Sequence, residues 1–341
     1  MSSETMKAVV LEKTENGSSL VLRTVPQRMP GPGEAQVSLH AAALNRRDVW
    51  IRLGRYAGIK LPSILGSDGA GVVSAVGAGV SADWVGQAVV LNPSINFGPN
   101  PEAQGDDYRI LGMPDDGTYA ESIVLPAENL VEKPAHLDFV EAAALPLAGL
   151  TAYRALCVRG QLRPGQTVLI PGIGSGVSTM ALMFAHHLGA KVIVTSSSRD
   201  KLAEAAKLGA SFGVSYRDTD WEEQISRHLS GSRVDLVVDG AGGEAWSKGL
   251  NLLRPGGRIV SYGATAGLAQ IDLRKVFWKQ LNILGSTMGS ARDFSEMIAL
   301  VGAGKLRPCV DQVLPLAEAT RAHERMEHGQ QMGKLVLKIR D

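Results

Sequence analysis

Through the first third of the chain, short apolar runs alternate with polar positions and are separated by turn residues. Lys7–Leu11, Glu34–Ala42, Gly69–Val76 and Gln87–Leu91 are predicted strands, with turns at Pro30–Gly33 and Gly77–Gly79. Residues 92–117, rich in Gly, Pro and Asp, are expected to form a lobe or loop rather than core. The pattern then changes. Phe139–Leu147 is Ala-rich and predicted helical, and strands and helices alternate beyond it. Thr167–Ile170, Lys191–Thr195, Val234–Val238, Arg258–Tyr262 and Leu281–Leu284 are predicted strands; Ser175–Leu188, Asp200–Leu208 and Ala245–Leu253 are predicted helices. Short apolar strands separated by helices imply a parallel sheet covered on both faces. After Met288 a helix, the strand Gln312–Leu316, a second helix and the strand Lys334–Ile339 complete the pattern. The expected fold is α/β: a β-rich domain (1–133 and 289–341) interrupted by a doubly wound domain (134–288).

Composition narrows the function. The 341 residues carry 35 basic and 34 acidic side chains, so there is no cationic excess to hold a nucleic acid. No run of about 18 apolar residues suggests a membrane span, and the first ten residues lack the apolar core of a signal peptide. Cys157 and Cys309 are the only cysteines, which suits a reducing cytoplasm and gives neither a disulfide framework nor a metal cluster.

The strand Thr167–Ile170 runs into Pro171-Gly172-Ile173-Gly174-Ser175-Gly176-Val177-Ser178 and then a helix. Strand, glycine turn and helix together present backbone N–H groups and a helix N-terminus to a pyrophosphate, which makes Gly174, Ser175, Gly176 and Val177 candidate dinucleotide contacts. An NAD site places a carboxylate at the end of the second strand. Here that end is Thr195-Ser196-Ser197-Ser198-Arg199-Asp200-Lys201, whose hydroxyls and cations suit a 2′-phosphate and favour NADP(H). The same run can also be read as a serine-rich helix cap with solvated Arg199 and Lys201.

At Leu44-Asn45-Arg46-Arg47-Asp48, Gly66-Ser67-Asp68-Gly69-Ala70-Gly71, Leu147-Ala148-Gly149-Leu150-Thr151-Ala152-Tyr153, Leu253-Arg254-Pro255-Gly256-Gly257-Arg258 and Gly285-Ser286-Thr287-Met288-Gly289, the chain resembles the medium-chain dehydrogenase/reductase superfamily. Leu-Asn-x-x-Asp and Gly-Ser-Asp are similar to the quinone oxidoreductase (zeta-crystallin-like) branch. The resemblance implies a GroES-like catalytic domain and a Rossmann domain. It also implies cofactor contacts from Thr151, Gly263 and Met288, with Tyr216 stacking near Ser196, Ser197 and Lys201. Where zinc relatives hold catalytic metal ligands, this chain has Asn45, Ser67 and Leu147, and residues 92–117 lack the cysteines of a structural site. A zinc-free enzyme is therefore expected.

Without a Lewis acid, hydride transfer to an enone or quinone is easier than oxidation of a simple alcohol, because conjugation spreads the developing charge. Tyr56 and Asn45 are the candidate catalytic residues. Arg47 stands where zinc relatives have a proton-relay hydroxyl; it either binds an anionic substrate group or pairs with an acid or solvent. The expectation is an NADPH-dependent oxidoreductase acting on a small molecule, soluble and homodimeric through the edge strand Leu281–Leu284. A zinc-free carbonyl reductase or alcohol dehydrogenase and a non-enzymatic nucleotide-binding protein remain alternatives. Trp50, Trp84 and Trp278 are expected in the core or a pocket wall.

Overall fold

The computed structural model describes residues 4–15 and 17–340. It comprises two compact units, Met1–Ala148 with Ser290–Asp341, and Gly149–Gly289.

The first unit is organised by a seven-stranded sheet. Glu34–Ala43 runs through its middle and its side chains are mostly buried, because the sheet is covered on both faces. Asp68–Val76 pairs antiparallel along one side of this strand. On the other side the residues share two partners: Ser122–Pro126 takes positions 34–38, and Lys334–Lys338 takes positions 41–43. That second pairing carries the end of the chain to Leu44, whose N–H donates to the Leu335 carbonyl. A hairpin of Thr5–Thr14 and Gly17–Pro26 lies in a separate three-stranded sheet. Leu11, Leu44, Val49, Ile51, Leu65 and Leu337 pack in one buried cluster and Val37, Leu39, Val89 and Leu91 in another. Each fully buried side chain of this size contributes about 1.5–3 kcal/mol.

The second unit is a six-stranded parallel sheet in the order Phe212–Ser215, Lys191–Ser196, Thr167–Ile170, Val234–Asp239, Leu253–Ser261, Asn282–Gly285. Within the unit this is strand order 3-2-1-4-5-6, the doubly wound arrangement. It reverses between Thr167–Ile170 and Val234–Asp239, and such folds bind ligands outside the strand ends at that reversal.

The structure corrects several expectations. The boundary at residue 134 falls too early, because residues 134–148 belong to the first unit. Asp138 caps the helix Phe139–Ala143, and Phe139 stacks on His40 of the central strand with ring centroids 4.1 Å apart. The predicted helix Phe139–Leu147 is thus two helices, Phe139–Ala143 and Pro146–Tyr153. Residues 92–117 include a short strand pair, Ser94–Ile95 with Arg109–Ile110. Trp278 is neither core nor pocket wall but 82 % exposed.

Candidate active site and cofactor site

In the second unit the turn after Thr167–Ile170 needs glycine at two places. Gly172 and Gly174 have φ of +67° and +131°, which L side chains rarely adopt. Ser175 is the N-cap of the helix Gly176–His187; its Oγ accepts from Ser178 N at 3.1 Å. Ser178, near the site of the missing third glycine, is 1 % exposed, and its Oγ accepts from the Ser175 and Gly174 N–H groups at 3.0 and 3.2 Å. The serine therefore ties the turn to the helix. The N–H groups of Gly176 and Val177 begin the helix and have no intrahelical partner, so they suit an anion.

The residues expected around the adenosine end come together. Lys201 crosses the glycine turn: a Cβ on Gly174 would lie 2.8 Å from its Cδ and 3.0 Å from its Nζ. Tyr216 is 44 % exposed and donates its backbone N–H to the Ser196 carbonyl at 3.1 Å. Ser197 is half-buried, whereas Ser196 is buried, its Oγ accepting from Ser198 N at 3.2 Å. Ser198 caps the helix Arg199–Lys207 by accepting from Lys201 N. The serine run is therefore a helix cap in part, and Lys201 of the capped helix lies over the glycine turn.

At the other expected end, the Thr151 hydroxyl donates to Met288 Sδ at 3.8 Å. Met288 is buried with φ +45°, a left-handed conformation that costs a non-glycine residue energy and clusters at functional sites. A Cβ on Gly263 would stand 2.8 Å from the Gly240 carbonyl, so only glycine fits there. The sequence did not point to Asp239 or Tyr262. Asp239 is fully buried at a strand end; its carboxylate accepts from the Ala241 and Gly242 N–H groups, and burial pushes its pKa up despite those bonds. Tyr262 hydrogen-bonds Ser175, and burial and the nearby Asp239 push its phenol up. These features fit a dinucleotide: a glycine turn, an uncommitted helix N-terminus, and a lysine over the turn.

In the first unit the helix Arg46–Arg52 begins at Asn45, and Asp68 opens its strand beside it. Lys334, 2 % exposed, donates to the Leu44 carbonyl, Asn45 Oδ1 and Asp68 Oδ2 at 2.7, 2.8 and 2.7 Å. An ammonium has three donors, so all are used. Asn45 Nδ2 donates to Asp68 Oδ2 at 2.9 Å, and Leu147 N donates to Asp68 Oδ1 at 2.7 Å. Asn45 is buried and its side chain is engaged at both ends. It is held as part of this pair more than it is presented to a ligand.

Arg47 is half-buried and forms no ion pair among the described residues. Its Nη1 donates to Ser67 Oγ at 2.7 Å and to the Leu111 carbonyl at 2.9 Å, and its Nη2 donates to the Met113 carbonyl at 3.4 Å. The guanidinium lies 5.1 Å from the centre of the Tyr56 ring, a cation–π contact. Ser67 donates its own proton to the Leu111 carbonyl at 2.7 Å. Asp48, fully buried, accepts from Asn45 N and the Tyr119 hydroxyl at 2.8 and 2.9 Å. Burial pushes its pKa up, against the pull of the Arg47 guanidinium. His323 is also fully buried, its ring edge-on to Tyr119, and burial pushes its pKa down to about 3. In sequence it reads as one residue of a polar helix.

The zinc implied by the resemblance does not fit these residues. Catalytic zinc takes three N, S or carboxylate ligands from the protein. Asn45, Ser67 and Leu147 offer none; of the two nearby carboxylates, Asp68 carries the Lys334 ammonium and Asp48 accepts from Asn45 N and the Tyr119 hydroxyl. Among the described residues, no group of three or more His, Cys, Asp or Glu side chains could hold a metal. In the lobe, Asp115 pairs with Arg109 at 3.3 Å and Asp116 accepts from Ile64 N at 2.9 Å.

Comparison with known proteins agrees with this architecture. Residues 31–135 match the alcohol dehydrogenase GroES-like domain, and residues 176–303 match the zinc-binding dehydrogenase family. The chain belongs to the medium-chain dehydrogenase/reductase superfamily, in its quinone-oxidoreductase-like branch, and is an oxidoreductase that binds a nicotinamide cofactor. It is 36 % identical to the zinc-type alcohol dehydrogenase-like protein YogA of Leptosphaeria maculans, covering 94 % of each chain. It is 32 % identical to a quinone oxidoreductase of Pseudomonas aeruginosa, covering 90 % of this chain and 92 % of the other. A crystal structure of an NAD-dependent alcohol dehydrogenase superposes with a TM-score of 0.92 at 41 % identity, over 98 % of this chain and 100 % of that one.

Proposed function

We propose that the protein is a cytoplasmic, homodimeric, NADPH-dependent reductase of activated C=C bonds or quinones that works without a metal. The observation that carries this reading is the Lys334 ammonium, bonded to Asp68 and Asn45 where zinc relatives bind their metal. With no Lewis acid, the substrate must itself spread the charge that forms on its oxygen, as enones and quinones do. NADPH, when bound, supplies a hydride. The glycine turn, Ser197, Lys201 and Tyr216 hold it, and Thr151, Gly263 and Met288 shape the nicotinamide end. Tyr56 offers a proton or hydrogen bond to the substrate.

The test is turnover of chelator-treated enzyme with NADPH on a panel of enones, quinones and aldehydes. Enone or quinone turnover is expected. Turnover of aldehydes alone supports a zinc-free carbonyl reductase, a reading that the retained lobe favours. No turnover leaves a nucleotide-binding protein without enzymatic function. Tyr56→Phe is expected to lower kcat by about 10²–10⁴-fold, the range for a general acid, with NADPH affinity unchanged. Full activity would assign proton delivery to water.

The homodimer reading rests on the edge strand Asn282–Gly285 and on exposed apolar side chains in the sequence that leads up to it. Leu268, Phe277 and Trp278 are 98 %, 67 % and 82 % exposed, and Ile283 lies on the strand itself. Such an apolar edge needs a cover, and a second copy is the commonest one. Light scattering should give a dimer mass for the native chain and a monomer mass for Trp278→Glu. Among the described residues no helix is long and apolar enough to cross a membrane.

A further inference from the structure

The lobe of residues 92–117 persists without cysteines, and its end is pressed against the segment that would hold a metal ligand. A Cβ on Gly112 would lie 2.5 Å from the Gly66 carbonyl, and one on Gly117 would lie 2.1 Å from the same atom. From there the lobe offers two carbonyls, Leu111 and Met113, and both accept from Arg47. Carbonyls that could have bonded water instead fix a guanidinium beside Ser67.

The donor inventory singles out this side chain. Lys334 has spent its three N–H groups, Ser67 gives its proton to Leu111, and the Asn45 amide, which is uncharged, gives one of its two N–H groups to Asp68. A guanidinium has five donors, and Arg47 makes three hydrogen bonds. Two donors are left, one of them on Nε, which is shielded from solvent and has no partner. Among the described residues no carboxylate lies within ion-pair distance of Arg47; Asp48 acts on it only through the field. A buried charged donor without a partner is costly, and its complement is an oxygen carrying negative charge.

We propose that Arg47 is a catalytic residue: its guanidinium, aimed by the lobe, receives the carbonyl oxygen of the substrate and holds the charge that develops there. This rests on the reductase reading above. Hydride arriving at the β-carbon forms a C–H bond, and the C=C electron pair moves toward the carbonyl to give an enolate oxygen. The α-carbon then takes a proton and the carbonyl re-forms, so a saturated ketone and the oxidised nicotinamide leave. For a quinone the same oxygen becomes a phenolate. Arginine suits this role because its planar fork stays charged and offers two parallel donors. Tyr56 is seated on the same guanidinium and is positioned by it.

The experiment compares wild type, Arg47→Met, Tyr56→Phe and the double variant on one enone with NADPH. Arg47→Met is expected to lower kcat about 10²–10³-fold, the cost of removing an oxyanion donor, with NADPH affinity unchanged. The loss should persist in the Tyr56→Phe background and be partly restored by millimolar methylguanidinium. A second readout needs no turnover: 4-nitrophenol bound to wild type should be ionised by its visible absorbance, and bound to Arg47→Met should be neutral. If Arg47→Met does not fold, Arg47→Lys replaces it, with a smaller loss expected because the fork is gone. Wild-type kcat in Arg47→Met, a loss that vanishes in the Tyr56→Phe background, or equal ionisation of the phenol would overturn the proposal and leave the reductase reading standing. A wild type that reduces no enone or quinone would overturn both.

Discussion

Lys334→Met is expected to destabilise the first unit by about 3–5 kcal/mol, the usual consequence of removing one member of a buried ion pair. The loss comes less from the missing attraction than from what stays behind. Asp68 is fully buried, and its remaining partners are the Asn45 side-chain amide and the Leu147 backbone N–H. Those two donors cannot neutralise a carboxylate in a desolvated site. Asn45 also loses the donor to its Oδ1 and the Leu44 carbonyl loses a bond. Adding Asp68→Asn should recover part of the loss, since the amide keeps the shape and removes the uncompensated charge. Urea denaturation of the two variants measures both effects. A Lys334→Met protein as stable as wild type would show that the pair is dispensable.

The second large effect is in cofactor choice. Wild type should prefer NADPH over NADH by hundreds-fold or more. A charge-assisted bond from Lys201 and one or two serine hydroxyls amount to about 3–5 kcal/mol of discrimination. Ser197, half-buried beside a buried Ser196, is the hydroxyl best placed to reach a phosphate. Lys201→Ala should weaken NADPH binding and leave NADH nearly unchanged. Ser197→Asp should repel the 2′-phosphate and shift preference toward NADH. Equal use of the two cofactors by wild type, or equal weakening of both by Lys201→Ala, removes the NADPH assignment.

The parts of this molecule that sequence revealed are those whose causes are local. The glycine turn was legible because positive φ at Gly172 and Gly174 admits little else, and the parallel sheet because short apolar strands alternate with helices. The strand Gly17–Pro26 is not legible because its apolar residues Leu20, Val21 and Leu22 are consecutive rather than alternating, and none of its side chains is fully buried. The boundary at residue 134 was misplaced because Ala-rich helical sequence looks the same against either unit. Trp278 defied composition, since size and apolarity cannot distinguish a core from an apolar surface. At the site, Asn45 and Asp68 stood out by motif, but their partner Lys334 did not. A lysine at the start of a strand resembles a solvated edge residue, and 266 residues separate it from Asp68. Arg47 was found, yet the carbonyls that aim it belong to a lobe whose pattern announces only a loop.

The position of Lys334 also sets the order in which the chain can mature. The residues it binds, Leu44, Asn45 and Asp68, precede it by 290, 289 and 266 positions, so they leave the ribosome long before it does. The whole second unit is made in between, and the strands of its sheet pair only with one another, so it can fold as it emerges. Throughout that interval the half-built first unit must keep Asp68 hydrated and its sheet open beside Ala41–Ala43. That open edge is the stretch a chaperone would guard. Closure comes last, when Lys334–Lys338 slides in and brings the counter-charge with it.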